Sequence, residues 1–199
     1  VDRMNLPNRL TLMRVILAPI YLLLLMAEFP FHYLCACGVF ILASLTDLLD
    51  GRIARSRQLI TNLGKFLDPL ADKMLTTAAF LGFLARGQLD VWAVMIILSR
   101  EFLVTSVRLV SAGSGVVIAA NIWGKAKTVA QMVSIIAMML ALEFAGWQQT
   151  VPALAAWPDA AFTVPVLVCR VLIWISVVLT AISGGIYLWD YRRFFRENS

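Results

Sequence analysis

Charge is what this sequence has least of. Of 199 residues only 15% are Asp, Glu, Lys or Arg, 61% are hydrophobic, and the mean hydropathy is +0.84. A water-soluble domain of this length does not carry so much apolar surface, so the expected class is an all-α, polytopic membrane protein forming one domain over residues 1–199. Cysteine is equally sparse. Cys35, Cys37 and Cys169 all lie in apolar runs, and an odd number at this spacing suits neither a zinc site nor a disulfide framework. They read as small core or lipid-facing residues. The one histidine, His32, falls on an expected outer loop and is assigned no role. No basic tract is interleaved with aromatic residues, so the net charge of +5 is read as membrane topology, and no nucleic-acid partner is expected. There is no internal repeat and no low-complexity segment. A cleavable signal is not expected, because the first apolar run lacks a small-residue cleavage site.

What the chain does have is long apolar runs. A short amphipathic N-terminal segment, NLPNRLTLMR, precedes a first span at about Leu12–Ala27 with Pro19 inside it. Further spans are expected at about Tyr33–Leu49, Lys65–Ala85, Val91–Val110, Ile122–Phe144 and Val164–Trp189. Gly51–Gly64 reads as a polar turn, Ser111–Asn121 as a Gly/Ser-bearing loop, and Gly146–Phe162 as a longer loop. Roughly 20 residues suffice to cross a hydrocarbon core about 30 Å thick. Six spans put both termini on one side. There they join Arg52, Arg55, Arg57, Lys65, Lys125 and Lys127, whereas Arg86 is the only Lys or Arg in the opposite loops. The positive-inside rule then places that side in the cytoplasm. Arg170, near the outer end of the last span, reads as a snorkelling side chain.

The stretch Thr46–Lys73 concentrates acidic charge in an otherwise apolar protein. Asp47 and Asp50 stand at i, i+3 and Asp68 and Asp72 at i, i+4, so each pair shares a helical face. A polar, Arg-rich connection between the pairs allows the chain to reverse and bring them together. Four carboxylates converging near a membrane surface repel one another, and a hard divalent cation, Mg²⁺ or Mn²⁺, suits such an all-oxygen donor set. Two metals held in this way can grip both the attacking and the leaving oxygen of a phosphoryl transfer. Gly51 and Ala54 are small enough to let a nucleotide approach the backbone, and Arg55 can pair with phosphate or brace an aspartate. A lone helix-end aspartate is ordinarily a cap or a solvated charge; four at this spacing beside membrane spans are costly unless used.

As a pattern the stretch reads D-x-x-D-G-x-x-A-R, eight residues, then G-x-x-x-D-x-x-x-D, with Asp47, Asp50, Gly51, Ala54, Arg55, Gly64, Asp68 and Asp72 at the fixed positions. It resembles the signature of the CDP-alcohol phosphotransferase family, and the six-span layout extends the resemblance over most of the chain. The resemblance implies a two-metal site that cuts the pyrophosphate of a CDP-linked donor, releasing CMP as an alcohol takes the phosphatidyl group. It implies Asp47, Asp50 and Asp68 as metal ligands. It makes Asp72 the general base for the acceptor hydroxyl, with contact to the second metal, and it implies a homodimer. Gly64 reads as a packing or turn glycine.

Three further features bear on the acceptor. The N-terminal NLPNRLTLMRV, the pair Arg100–Glu101 followed by Arg108, and GKAKTVAQM from Gly124 to Met132 resemble segments of bacterial phosphatidylglycerophosphate synthases, a branch of that family. Arg100 and Arg108 are eight apart and nearly on one helical face, and Lys125 and Lys127 open the next span. Cations near one cytoplasmic cavity can hold a dianionic phosphate, which fits sn-glycerol 3-phosphate better than free serine, choline or ethanolamine. Arg100, Arg108 and Lys125 are the expected phosphate contacts, with Lys127 a fourth; as ordinary interfacial anchors the two lysines need no ligand. Glu101 is expected to form a salt bridge, most simply with a neighbouring arginine. The expected donor is CDP-diacylglycerol, drawn from the lipid bilayer. An inositol phosphate is the alternative acceptor. A divalent-metal carrier is the alternative of a different class, though its polar residues should continue across the bilayer, and here the charges stop at the cytoplasmic third.

Overall fold

The computed structural model describes the backbone of residues 6–57, 62–113 and 122–197, and the side chains of these residues apart from 6–10, 47–57, 62–70, 72, 112–113 and 190–197. Among the described residues the fold is all-helical: α1 (Leu6–Met26), α2 (His32–Arg57), α3 (Asn62–Ala85), α4 (Val91–Gly113), α5 (Ile122–Thr150) and α6 (Ala160–Glu197), with a single 3-10 turn at Pro152–Leu154.

The expected spans are present as helices, but several ends differ. The N-terminal segment is not separate from the first span: α1 is unbroken from Leu6, with Pro7 at a first-turn position where its missing N–H costs no intrahelical bond. The expected polar turn is shorter, because α2 continues through Arg57; one glycine costs only about 1 kcal/mol in a helix, and Arg52 and Ala54–Arg55 are good helix formers. Residues 58–61 and 114–121, where the remaining turn and the Gly/Ser loop fall, lie outside the described residues. The loop expected from Gly146 shrinks to 151–159, since α5 runs to Thr150. Trp147 Nε1 donates to Glu143 Oε1 at 3.0 Å across that added turn. The basic tail is helical, as part of α6.

α1 packs on α2 and α3, α5 on α6 and α2, and α4 on α6 and α3. Their shared core holds Tyr21, Phe40, Phe80, Phe83, Ile97, Met138 and Ile173, all buried. Small residues set the spacing. Ala18, Ala36, Ala43, Ala79 and Ala93 are buried between helices. At Gly82 a Cβ would come within 2.3 Å of Leu25 Cδ2, so the buried Leu25 side chain of α1 packs into the space the glycine leaves on α3. The outward surface is apolar instead: Leu23 is 71%, Trp92 75% and Ile122 79% exposed. Isolated apolar side chains on a surface are ordinary, but whole helical faces of them are not found on soluble monomers. α5 and the Ala160–Trp189 part of α6 are each long and apolar enough to cross a bilayer.

Two polar layers close the bundle, one at each end. At one, Arg86 donates to the last carbonyls of α1, from Nε to Leu25 O at 3.2 Å and from Nη2 to Ala27 O at 2.7 Å. A cation there also faces the negative end of the α1 dipole. α3 stops beside it in a Schellman turn, Gln88 N to Phe83 O and Gly87 N to Leu84 O, for which Gly87 takes φ +68°. In the same layer the buried Glu143, near the end of the expected fifth span, accepts the Leu34 N–H of the first turn of α2 at 3.3 Å. Arg170 does not only snorkel, since it donates to Gln88 Oε1 at 2.9 Å. His32 begins α2 and contacts the Phe29 carbonyl at 2.8 Å. The other polar layer, at the end where α2 stops and α3 begins, holds the candidate site.

Candidate active site

The continuation of α2 changes the register of the aspartate motif. Because α2 is helical to Arg57, Asp47, Asp50, Gly51 and Ala54 stand at i, i+3, i+4 and i+7 of one helix, a single stripe. Asp68 and Asp72 occupy one stripe of α3, about 40° apart at 100° per residue. α2 and α3 are in contact. The backbone therefore presents a row of two carboxylate-bearing and two small residues on α2 beside two carboxylate-bearing positions on α3. The side chains of all four aspartates, and those of Arg55 and Gly64, lie outside the described set. Among the described residues no three His, Cys, Asp or Glu side chains come together as a metal site.

Beginning at Lys73, the residue after Asp72, the described side chains form a charged cluster. Glu101 of α4 is only 8% exposed, and its carboxylate meets three cations. Lys73 of α3 donates to Oε2 at 2.8 Å, Lys127 of α5 donates to Oε1, and Arg100 Nη1 lies 3.4 Å from Oε1. Lys127 is 4% exposed. A buried charge is tolerated only when paired and hydrogen-bonded, so the Glu101 carboxylate is what allows three cations to gather here. Arg100 is held on its other side by α6: its Nη2 donates to Ser183 Oγ at 2.6 Å, and its stem lies over Gly184, where a Cβ would stand 2.8 Å from Arg100 Cγ. Its Nε is buried and has no hydrogen-bond partner among the described residues. Three cations against one carboxylate, with a donor unused, is an arrangement suited to an anion carrying two charges.

Of the expected phosphate contacts, the structure brings Arg100 and Lys127 together. Lys125 is exposed on α5, and Arg108, also exposed, lies with its guanidinium 5.8 Å from the centre of the Tyr187 ring. Neither is among the described partners of Glu101. The expected salt bridge of Glu101 to a neighbouring arginine is present, but its two closer partners are lysines. Lys73 was missed by the sequence reading. The signal for it was an ammonium group one residue past Asp72 on a helix otherwise apolar to Ala85, a charge that needs a partner.

From the cluster a polar seam runs inward between α5 and α6. Gln131 Nε2 donates to Thr180 Oγ1 at 3.2 Å, Thr180 Oγ1 to Ser176 O at 2.6 Å, and Ser134 Oγ to Gln131 O at 3.0 Å. The seam ends against Ile135, Met138, Met139 and Ile173, all fully buried. These groups satisfy one another, and an apolar plug closes their path.

The sequence profile of the CDP-alcohol phosphatidyltransferase family matches residues 4–182, which include the aspartate stripes and the cation cluster. The chain belongs to this family. It is similar to the CDP-diacylglycerol–glycerol-3-phosphate 3-phosphatidyltransferase of Bacillus subtilis (strain 168), with 39% identity covering 94% of this chain and 93% of the relative. The protein of the same name from Rickettsia bellii is 32% identical over 96% of this chain and 97% of its own length. A protein named probable phosphatidylglycerophosphate synthase, from Mycobacterium tuberculosis, is 40% identical over 66% of this chain and 64% of its own.

Proposed function

We propose that this protein transfers the phosphatidyl group of CDP-diacylglycerol to sn-glycerol 3-phosphate, giving phosphatidylglycerol phosphate and CMP, as a step of phospholipid biosynthesis. The observation that carries this reading is the similarity, over nearly the whole of both chains, to the Bacillus subtilis transferase of that name. The charged cluster supports an acceptor that brings its own phosphate: Arg100 and Lys127 meet there, and Arg100 Nε has no partner among the described residues.

In this reading the donor's cytidine lies near Gly51 and Ala54, with Arg55 at its phosphates. Asp47, Asp50, Asp68 and Asp72 would hold divalent cations, Mg²⁺ or Mn²⁺. Their register supports that use, since two helices in contact each carry a pair of carboxylate-bearing positions on one face, and hard cations prefer oxygen donors. Such ions, when bound, supply charge neutralisation at the pyrophosphate. Asp72 takes the proton of the acceptor's 1-hydroxyl. That oxygen then bonds to the β-phosphorus as the bond from this phosphorus to the bridging oxygen breaks, and CMP leaves with the bond's electrons. Arg100 and Lys127 hold the acceptor phosphate, with Arg108 and Lys125 nearer the cytoplasm. Transfer of this kind needs positioning and charge neutralisation more than covalent help from the protein.

The six helices each cross the bilayer, with both termini and the aspartates on the cytoplasmic side of the bacterial inner membrane, and the enzyme is a homodimer. Helices of 21 residues or more and exposed apolar faces support the spans, and the distribution of Lys and Arg supports the orientation. The test is turnover by purified protein with CDP-diacylglycerol, Mg²⁺ and a panel of alcohols. Phosphatidylglycerol phosphate and CMP are expected with glycerol 3-phosphate. Product from an inositol phosphate or from free serine, with none from glycerol 3-phosphate, overturns the reading.

A further inference from the structure

We infer that Glu101 is a positioning residue of the acceptor site: it gathers Lys73 and Lys127 around the place of the acceptor phosphate and, through Lys73, ties that place to Asp72. The inference rests on the proposed function, and it concerns a residue that touches neither the donor nor the reacting atoms.

Three observations carry it. Glu101 is the one described carboxylate that joins cations from three helices, with Lys73 on α3, Arg100 on its own α4 and Lys127 on α5. Its two oxygens are divided between the lysines, Oε2 to Lys73 and Oε1 to Lys127, so each ammonium group is held by a separate directed bond. Lys73 follows Asp72 directly in α3, so whatever fixes the Lys73 side chain also constrains the helical turn that carries the proposed base. Without the carboxylate, two ammonium groups and a guanidinium in a nearly dry space would repel one another. Nothing else described holds Lys73 or Lys127 in place. Arg100 differs, because Ser183 and Gly184 fix it independently from α6. Loss of Glu101 should therefore scatter the two lysines and leave Arg100 in position. A salt bridge that only stabilised the bundle would need one partner. Here one carboxylate is shared among three, which leaves the cations in excess among the described side chains, as an anion site requires.

The test uses the full chain in detergent with Mg²⁺ and compares Glu101→Gln, Lys127→Gln and the double variant. Glu101→Gln should raise KM for glycerol 3-phosphate roughly tenfold to a hundredfold, as expected for losing a charge-assisted contact. It should also lower kcat, and KM for CDP-diacylglycerol should move less than about twofold. Because Glu101 acts through the lysines, the double variant should be little worse than the worse single one. A Glu101→Gln enzyme with the parent KM and kcat overturns the inference, as do effects that simply multiply in the double variant. Should Glu101→Gln not fold, Glu101→Asp keeps the charge on a shorter stem. A raised KM for glycerol 3-phosphate alone then supports the inference, and parent values for both substrates overturn it. Failure of the wider reading looks different: the parent protein would then make no phosphatidylglycerol phosphate from glycerol 3-phosphate.

Discussion

Two adjacent glycines on α6 allow the placing of Arg100 to be tested by adding a single methyl group. At Gly184 a Cβ would lie 2.8 Å from Arg100 Cγ and 3.8 Å from Cβ, while at Gly185 nothing lies within 4 Å. Carbon atoms pack at about 3.5–4.0 Å. Gly184→Ala must therefore displace the middle of the Arg100 side chain by about 1 Å. The atom displaced is near the root of the side chain, so the whole guanidinium moves with it. A shift of that size breaks the 2.6 Å bond from Nη2 to Ser183 and the 3.4 Å contact from Nη1 to Glu101. If Arg100 holds the acceptor phosphate, its displacement removes a charge-assisted bond worth about 1.5–3 kcal/mol, a tenfold to hundredfold rise in KM for glycerol 3-phosphate. Folding should not suffer in proportion, since alanine is the better helix former by about 1 kcal/mol. Gly185→Ala shares that gain without the clash and is the control. The assay is CMP release at saturating CDP-diacylglycerol with glycerol 3-phosphate varied. Equal KM values for the two alanine variants would refute the role given to Arg100.

Other outcomes follow from the same structure. Excess EDTA should abolish turnover, and Asp68→Asn should cut kcat by several orders of magnitude while the protein still inserts; turnover in EDTA would rule out the metal. With the three native cysteines replaced, a cysteine at Gln149, which is exposed at the end of α5, should react with an impermeant thiol reagent from outside intact cells, and one at Arg57 only after lysis; the reverse pattern breaks the six-span topology. Arg86→Ala removes two bonds to the end of α1 and should cost roughly 1–3 kcal/mol, read as a lower thermal midpoint with kcat per folded molecule unchanged. A fall in kcat that exceeds the loss of folded protein would tie that distant layer to catalysis.

The helices were legible in the sequence because long apolar runs bounded by charged residues mark them. Their ends were not, because capping and packing decide them. Gly51 and Gly146 look like breaks in isolation, yet each is carried through by helix-forming neighbours and, at α5, by the bond between Glu143 and Trp147. That each aspartate pair shares a helical face was readable from spacing, since fixed intervals on a helix translate directly into shared faces. The cation cluster was readable only in part. Arg100 and Glu101 were evident as charges within an apolar span. Which lysine turns inward was not, because Lys125 and Lys127 are two residues apart on one helix, and only the pairing of Lys127 with Glu101 of α4 distinguishes the buried one from the exposed one. Lys73 was not legible, because its place beside Asp72 does not show that its ammonium group reaches across to Glu101 of α4.

The proposed reaction needs opposite charges kept apart until they meet. A donor held by metal ions requires carboxylates, and a phosphorylated acceptor requires cations. Left to themselves, four aspartates and the three cations around Glu101 would neutralise one another and bind neither substrate. The chain separates them by element. The carboxylates of the motif belong to α2 and the first part of α3, and the cations to α4, α5 and the next position of α3. Lys73 is where the two sets adjoin, one residue from Asp72. Its ammonium group is drawn toward α4 by Glu101 at 2.8 Å. In the proposed function that bond has a definite consequence: it holds the ammonium group next in sequence to the proposed base among the cations of the acceptor site.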